Sequence, residues 1–110
     1  MNVKFYKNSN GKEPVKDFIE NLQTNKEKLY GRILNISEFL SSKDIIPKGW
    51  YKKVINNIDE IRFKDIRVFV FIKNNNMYLL HAIIKKTDKI PKKDINLAEK
   101  RAKEIKDYLI

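Results

Sequence analysis

The sequence predicts one α+β domain: a small antiparallel-rich sheet, an N-terminal helical hairpin packed on one of its faces, and a C-terminal helix. Three observations carry this. Two apolar runs, Ile66 to Ile72 and Met77 to Ile84, have strand length and are rich in β-branched and aromatic residues. Between them lies Lys73-Asn74-Asn75-Asn76, and Asn tolerates positive φ, so a tight hairpin turn fits there. Helical periodicity occurs on either side of this hairpin, before Ser41 and after Pro91.

Taken in order, Asn2 to Lys7 places Val3 and Phe5 on one face and Lys4 and Tyr6 on the other, the alternation of a half-buried strand. Ser9-Asn10-Gly11 reads as a turn, and Pro14 suits the first position of a helix. Val15, Phe18, Ile19 and Leu22 then form one apolar stripe. Thr24 and Glu27 have capping-box spacing, so a second helix is expected from Asn25, with Leu29, Ile33, Ile36 and Leu40 as its stripe. The short break between the two predicts an antiparallel helical hairpin. Pro47 and Gly49 break the loop from Ser41 to Gly49, and Trp50 to Ile55 fits a short strand or an irregular approach to the sheet. Ile58 to Phe63 reads as a strand joined to the next through Lys64-Asp65. Pro91 is expected to open the last helix, whose stripe is Ile95, Ala98, Ala102, Ile105 and Leu109, with Asp94 suiting its dipole. Strands linked by short turns pair antiparallel. The helical hairpin then covers one sheet face and leaves the other at least partly open. Val3, Phe18, Ile19, Leu22, Ile33, Ile36, Val68, Val70 and Leu80 are expected in one core.

The 110 residues make one domain, and 42% apolar residues supply one modest core. No apolar run approaches the roughly 20 residues that span a bilayer. Met1-Asn2-Val3-Lys4 leads into strand alternation rather than an apolar leader, so a cytoplasmic protein is expected. There are no cysteines, which excludes disulfides and thiolate metal sites, and the single His81 argues against a histidine-based one. No metal or cofactor is expected. The net charge of +10 points to a polyanionic partner, although a chain rich in Lys, Asn and Ile also carries solvated surface lysines. The excess lies from Lys43 onward. Arg62 and Arg67 sit inside apolar strands, and a charge there needs an open face, a carboxylate or a bound anion.

Several segments together resemble the RelE/ParE toxin superfamily of bacterial toxin–antitoxin modules, and within it the HigB-like, phage-derived branch. They are Gly11, Pro14-Val15, Asp17-Phe18-Ile19 and Leu22; Asp59-Glu60-Ile61-Arg62; Ile66-Arg67-Val68 with Phe71; Leu79-Leu80-His81-Ala82; and Lys85-Lys86-Thr87 with Pro91 and Ala98. The order and spacing carry the resemblance more than any one piece. It implies a ribosome-dependent mRNA endonuclease, blocked by a cognate antitoxin that is commonly a helix-turn-helix protein, in a toxin–antitoxin hetero-oligomer. A related group, ParE, implies a gyrase-directed toxin instead. A basic RNA- or ribosome-binding module without catalysis is the reading from a different class.

Metal-free RNA cleavage needs a base for the 2′-hydroxyl, cations for the phosphorane and an acid for the leaving 5′-oxygen. Arg67 matches the family's strand arginine, which resembles a phosphate clamp; its structural alternative is an ion pair with Asp59, Glu60 or Asp65. Within its strand it shares a face with Phe69 and Phe71. Arg62 follows Glu60 on one strand face, where a structural pair competes with RNA binding. Lys85 and Lys86 end an apolar strand on opposite faces and are candidate catalytic phosphate ligands. His81, sharing an expected face with Leu79 and Ile83, is a candidate acid or base, or a satisfied core histidine. Lys52, Lys53 and Lys89 are candidates for RNA phosphates, Trp50 and Tyr51 for base stacking, and Tyr108 for RNA contact near the C-terminus. The chain lacks the acidic-aromatic-His cluster that some HigB proteins carry at the C-terminus, so the general acid has no obvious counterpart here.

Overall fold

The computed structural model describes residues 2–25, 51–55, 57–63, 65–85 and 89–109. Strand β1 (Asn2–Phe5) leads through a turn to helix α1 (Pro14–Asn25). Strands β2 (Tyr51–Ile55), β3 (Ile58–Phe63), β4 (Ile66–Lys73) and β5 (Asn76–Ile84) follow, and helix α2 (Lys92–Leu109) comes last. The sheet order is β1-β5-β4-β3-β2.

The β4–β5 hairpin forms where the Asn cluster predicts it. Asn74 and Asn75 take φ of 52° and 62°, the left-handed pair that a two-residue turn requires. At the other turn, the Asn8 side chain accepts the N–H groups of Asn10 and Lys12, and Gly11 takes φ of 83°.

Alternation sorts the sheet into two apolar faces. Ile61, Ile66, Val68, Val70, Met77, Leu79 and Ala82 face α1, where Val15 and Ile19 are buried against them. Ile58, Phe69, Phe71 and Leu80 face α2, packed with Tyr6, Ala98 and Ala102. The small residues Ala98 and Ala102 let the α2 backbone come close to the strands. Burying one Val or Ile side chain such as Val15 or Ile19 contributes roughly 1.5–3 kcal/mol.

Three expectations about the architecture are corrected. The sheet is mixed, because β1 runs parallel to β5, from Asn2 opposite Asn76 to Phe5 opposite Leu79. Alternation fixes which side of β1 is apolar, but not the direction in which the strand joins the sheet. The break at Thr24 expected of an N-terminal helical hairpin is absent, since Thr24 and Asn25 are helical residues of α1. An N-cap needs non-helical dihedrals, and no Gly or Pro after Pro14 interrupts α1 to provide them. Among the described residues there are two helices, one on each sheet face. The expected stripe from Leu29 to Leu40 lies outside the described residues. The second face is therefore not bare: α2 covers it, and Leu80 belongs to that cluster rather than to the α1 side. Val3 and Phe18 are half-buried at the edge of the first cluster, and Ile19, Val68, Val70 and Leu80 are buried. The side chains of Leu22, Ile33 and Ile36 lie outside the described residues.

Pro91 stands just before α2 rather than inside it. Its carbonyl accepts the N–H groups of Asp94 and Ile95, as an N-cap carbonyl does. Among the described residues no helix is long and apolar enough to cross a membrane.

Candidate active site

The sheet face toward α2 carries a polar cluster next to the part that the helix covers. Its floor is Phe69 on β4, fully buried. The register places Glu60 of β3 beside Phe69 on one side and His81 of β5 on the other. One step toward the sheet end, Arg67 stands opposite Arg62 of β3 and Ile83 of β5.

A bulge decides where His81 points. Phe69 pairs with His81 and Val70 with Leu79, so Leu80 is an extra residue on β5. Such a bulge re-aims the side chains that follow it. Leu80 lies in the α2-side cluster, Leu79 and Ala82 lie on the α1 side, and His81 stacks on Phe69 at 6.0 Å between ring centroids. The expectation that His81 shares a face with Leu79 is thereby corrected, because simple alternation does not survive the extra residue. His81 Nε2 lies 2.7 Å from Asp94 Oδ1 in the first turn of α2, and the two side chains are 17% and 14% exposed. The carbonyl of Leu80 accepts a hydrogen bond of 2.8 Å from Arg101 Nη1. The Arg101 guanidinium also lies over the Tyr6 ring, and the Tyr6 hydroxyl donates to Glu104. Helix α2 thus grips the bulge on both sides of the peptide that carries His81.

The arginines are held differently. Arg62 Nε donates to Glu60 Oε1 at 2.8 Å, with the Glu60 side chain 3% exposed and the Arg62 side chain 40% exposed. That bond uses Nε, and among the described residues the two terminal Nη groups have no other acceptor. Glu60 Oε2 is buried and has no hydrogen-bond partner among the described residues. Arg67 is half-buried, shares the face of Phe69 and Phe71 as expected, and donates from Nη1 to the Ile66 carbonyl at 2.9 Å. Two guanidinium groups in adjacent strands are suited to the oxygens of one phosphate.

The remaining candidates are spread out. Lys85 continues the ladder past β5 through its N–H to the Asp65 carbonyl and is half-buried, so alternation puts it on the side of Ile83 and Arg67. Lys86 lies outside the described residues. The Lys52 backbone pairs with Glu60, whereas Lys53 pairs with Asp59 and is exposed on the opposite side of β2, away from the arginines. Lys89 is exposed just before α2. Tyr108 is in the last turn of α2, with its side chain outside the described residues, and the side chains of Trp50 and Tyr51 are likewise outside them.

Sequence reasoning did not find two members of this cluster. Asp94 reads only as a dipole-compatible charge, because no spacing along the chain announces its contact with His81. Arg101 carries a usable signal: it is three residues after Ala98, on the edge of the stripe that docks α2.

The model of the phage-derived Gp49-like proteins matches residues 17–103, a span that holds Glu60, Arg62, Arg67, His81, Lys85, Asp94 and Arg101. No curated protein matches the chain at a significant level. With most of its length matched, the chain belongs to the phage-derived Gp49-like protein family (DUF891).

Proposed function

We propose that the chain is the toxin of a type II toxin–antitoxin module and acts as a ribosome-dependent mRNA endonuclease. Membership of the Gp49-like family supports the toxin reading, alongside the resemblance to HigB-like toxins. The observation that carries the reaction type is the pairing of Arg62 with Arg67, with His81 on the next strand and the same face. A phosphodiester seated on the two guanidinium groups has its developing charge stabilised as the 2′-oxygen attacks. His81 and Lys85 supply proton transfer beside it, with Lys86 the second lysine of this segment, and no nucleophilic side chain is needed. Lys52 and Lys89, with Tyr108, extend the contact to RNA. The partners are the mRNA on the ribosome and a cognate antitoxin, read as a helix-turn-helix protein bearing acidic or apolar residues against the basic surface.

The test is induction in cells followed by mapping of RNA ends, paired with cleavage of mRNA on programmed ribosomes. New ends within translated messages support the nuclease. DNA damage without new RNA ends overturns it in favour of a gyrase-directed toxin.

A further inference from the structure

We propose that Asp94 is a positioning residue that holds His81 with its proton on Nε2 and so makes Nδ1 the acceptor of the 2′-hydroxyl proton. The inference deepens the nuclease reading above and rests on it. Three features of the fold converge on the imidazole. The bulge at Leu80 brings the ring onto the face of Arg67 rather than into the α1-side core. The Phe69 ring, inclined by only 17° to it, fixes its plane. The 2.7 Å contact with Asp94 then fixes its rotation about that plane, and an ionised carboxylate can only accept, so the hydrogen resides on Nε2. Among the described residues Nδ1 has no hydrogen-bond partner.

The exposures of 17% and 14% matter here. A surface ion pair between two mobile side chains orients nothing, whereas this pair joins β5 to the first turn of α2 and is largely shielded from water. A plain helix-terminus role would leave Asp94 free to face solvent, where it would serve the dipole equally well. The charged groups around the ring come from each neighbouring element. They are Asp94 and Arg101 on α2, Arg67 on β4 and Lys85 past the end of β5, with Glu60 on β3 beyond Phe69.

The step balances. Neutral His81 takes the 2′-hydroxyl proton on Nδ1 while the 2′-oxygen bonds to phosphorus. The bond from phosphorus to the 5′-oxygen breaks, its electron pair stays on that oxygen, and the Lys85 ammonium supplies the proton. The products are a 2′,3′-cyclic phosphate and a 5′-hydroxyl. Asp94 stays ionised throughout and faces the imidazolium as it forms.

Nitrogen-15 NMR of the His81 ring in the free protein tests the tautomer without any assay of activity. The expected result is a ring protonated at Nε2 only, in pH conditions where imidazole is neutral, and a tautomer mixture in Asp94→Asn. On programmed ribosomes Asp94→Asn should cleave roughly 10- to 100-fold more slowly at saturating substrate, with KM little changed. A purely structural role would lower Tm and leave the ring tautomer in place. A wild-type ring protonated at Nδ1 overturns the role of Asp94, even if Asp94→Asn fails to fold. Full cleavage by a folded Asp94→Asn protein overturns it as well. A wild-type protein with the Nε2 tautomer that cleaves no RNA overturns instead the nuclease reading and the acceptor role with it.

Discussion

Arg62 on β3 stands directly opposite Arg67 on β4, so their Cβ atoms are about 5 Å apart in the ladder. Like charges in that position destabilise a sheet. Glu60, buried beside them and bonded to Arg62, offsets part of the repulsion. An anion seated between the two guanidinium groups would offset more.

If Arg67 stabilises the phosphorane, Arg67→Ala should lower mRNA cleavage by about two to three orders of magnitude, the scale for one well-placed transition-state donor. Folding should change little, as circular dichroism would show, because Arg67 is only half-buried. The Lys85→Ala/Lys86→Ala double variant should bind ribosomes or RNA more weakly, and with a flatter salt dependence, since fewer counterions are released. Full cleavage by folded forms of both variants would remove this face from the active site.

Glu60→Gln keeps the shape of the side chain and removes its charge. Arg62 then faces Arg67 without its partner carboxylate, and urea denaturation should show a loss of about 1–2 kcal/mol. The figure is kept low because Arg62 is 40% exposed and solvent screens the pair. Adding Arg62→Gln should cost less than the two single losses combined, since the second change also removes the repulsion. Strict additivity would mean that Glu60 and Arg62 do not act as a unit.

Tyr6 gives the fold an alkaline limit. Burial pushes its phenol above the ordinary value of 10.0, and the hydrogen bond to Glu104 and that carboxylate's charge push the same way, while Arg101 opposes them. The folded state therefore holds the phenolic proton more tightly than the unfolded state does. The contribution of Tyr6 is fully present below pH 10 and is lost as pH rises through the folded-state value above it. Stability measured from pH 9 to 12 should fall less steeply in Tyr6→Phe than in the natural protein, in the range where tyrosine titrates. Parallel curves for the two proteins would count against this link between β1 and α2.

The local signals in the sequence were legible because they act over a few residues. Asn74 and Asn75 announce the hairpin, β3 runs from Ile58 to Phe63 as expected, and Arg67 shares the side of Phe69 and Phe71. What alternation cannot contain is an extra residue. Leu80 breaks the period of two in β5, and the expected face of His81 depended on that period. Long-range choices were equally hidden: the parallel entry of β1, and the docking of α2 on the second face through Asp94 and Arg101. The capping-box pattern at Thr24 failed for another reason, as a cap sequence starts a helix only where the preceding one has already stopped.

The bulge itself should depend on Arg101. Leu80 is fully buried and has no partner residue on β4, yet its carbonyl is satisfied by the Arg101 guanidinium at 2.8 Å. Arg101→Met retains the apolar stem that lies along α2 and removes the donor. The orphaned carbonyl then costs about 1–3 kcal/mol, since water does not reach it. Lys100→Met, an exposed neighbour on the same helix, should stay within about 0.5 kcal/mol and serves as the control. The loss should also be local before it is global. With one side of the grip gone, the β5 segment around His81 opens more readily, and its amides should exchange faster than those of Met77 to Leu79. Cleavage should fall with it, because the imidazole is held only as firmly as the bulge that aims it. Hydrogen exchange followed residue by residue decides the matter. Unchanged protection around His81 in Arg101→Met would mean that the strand pairing holds the bulge without help from α2.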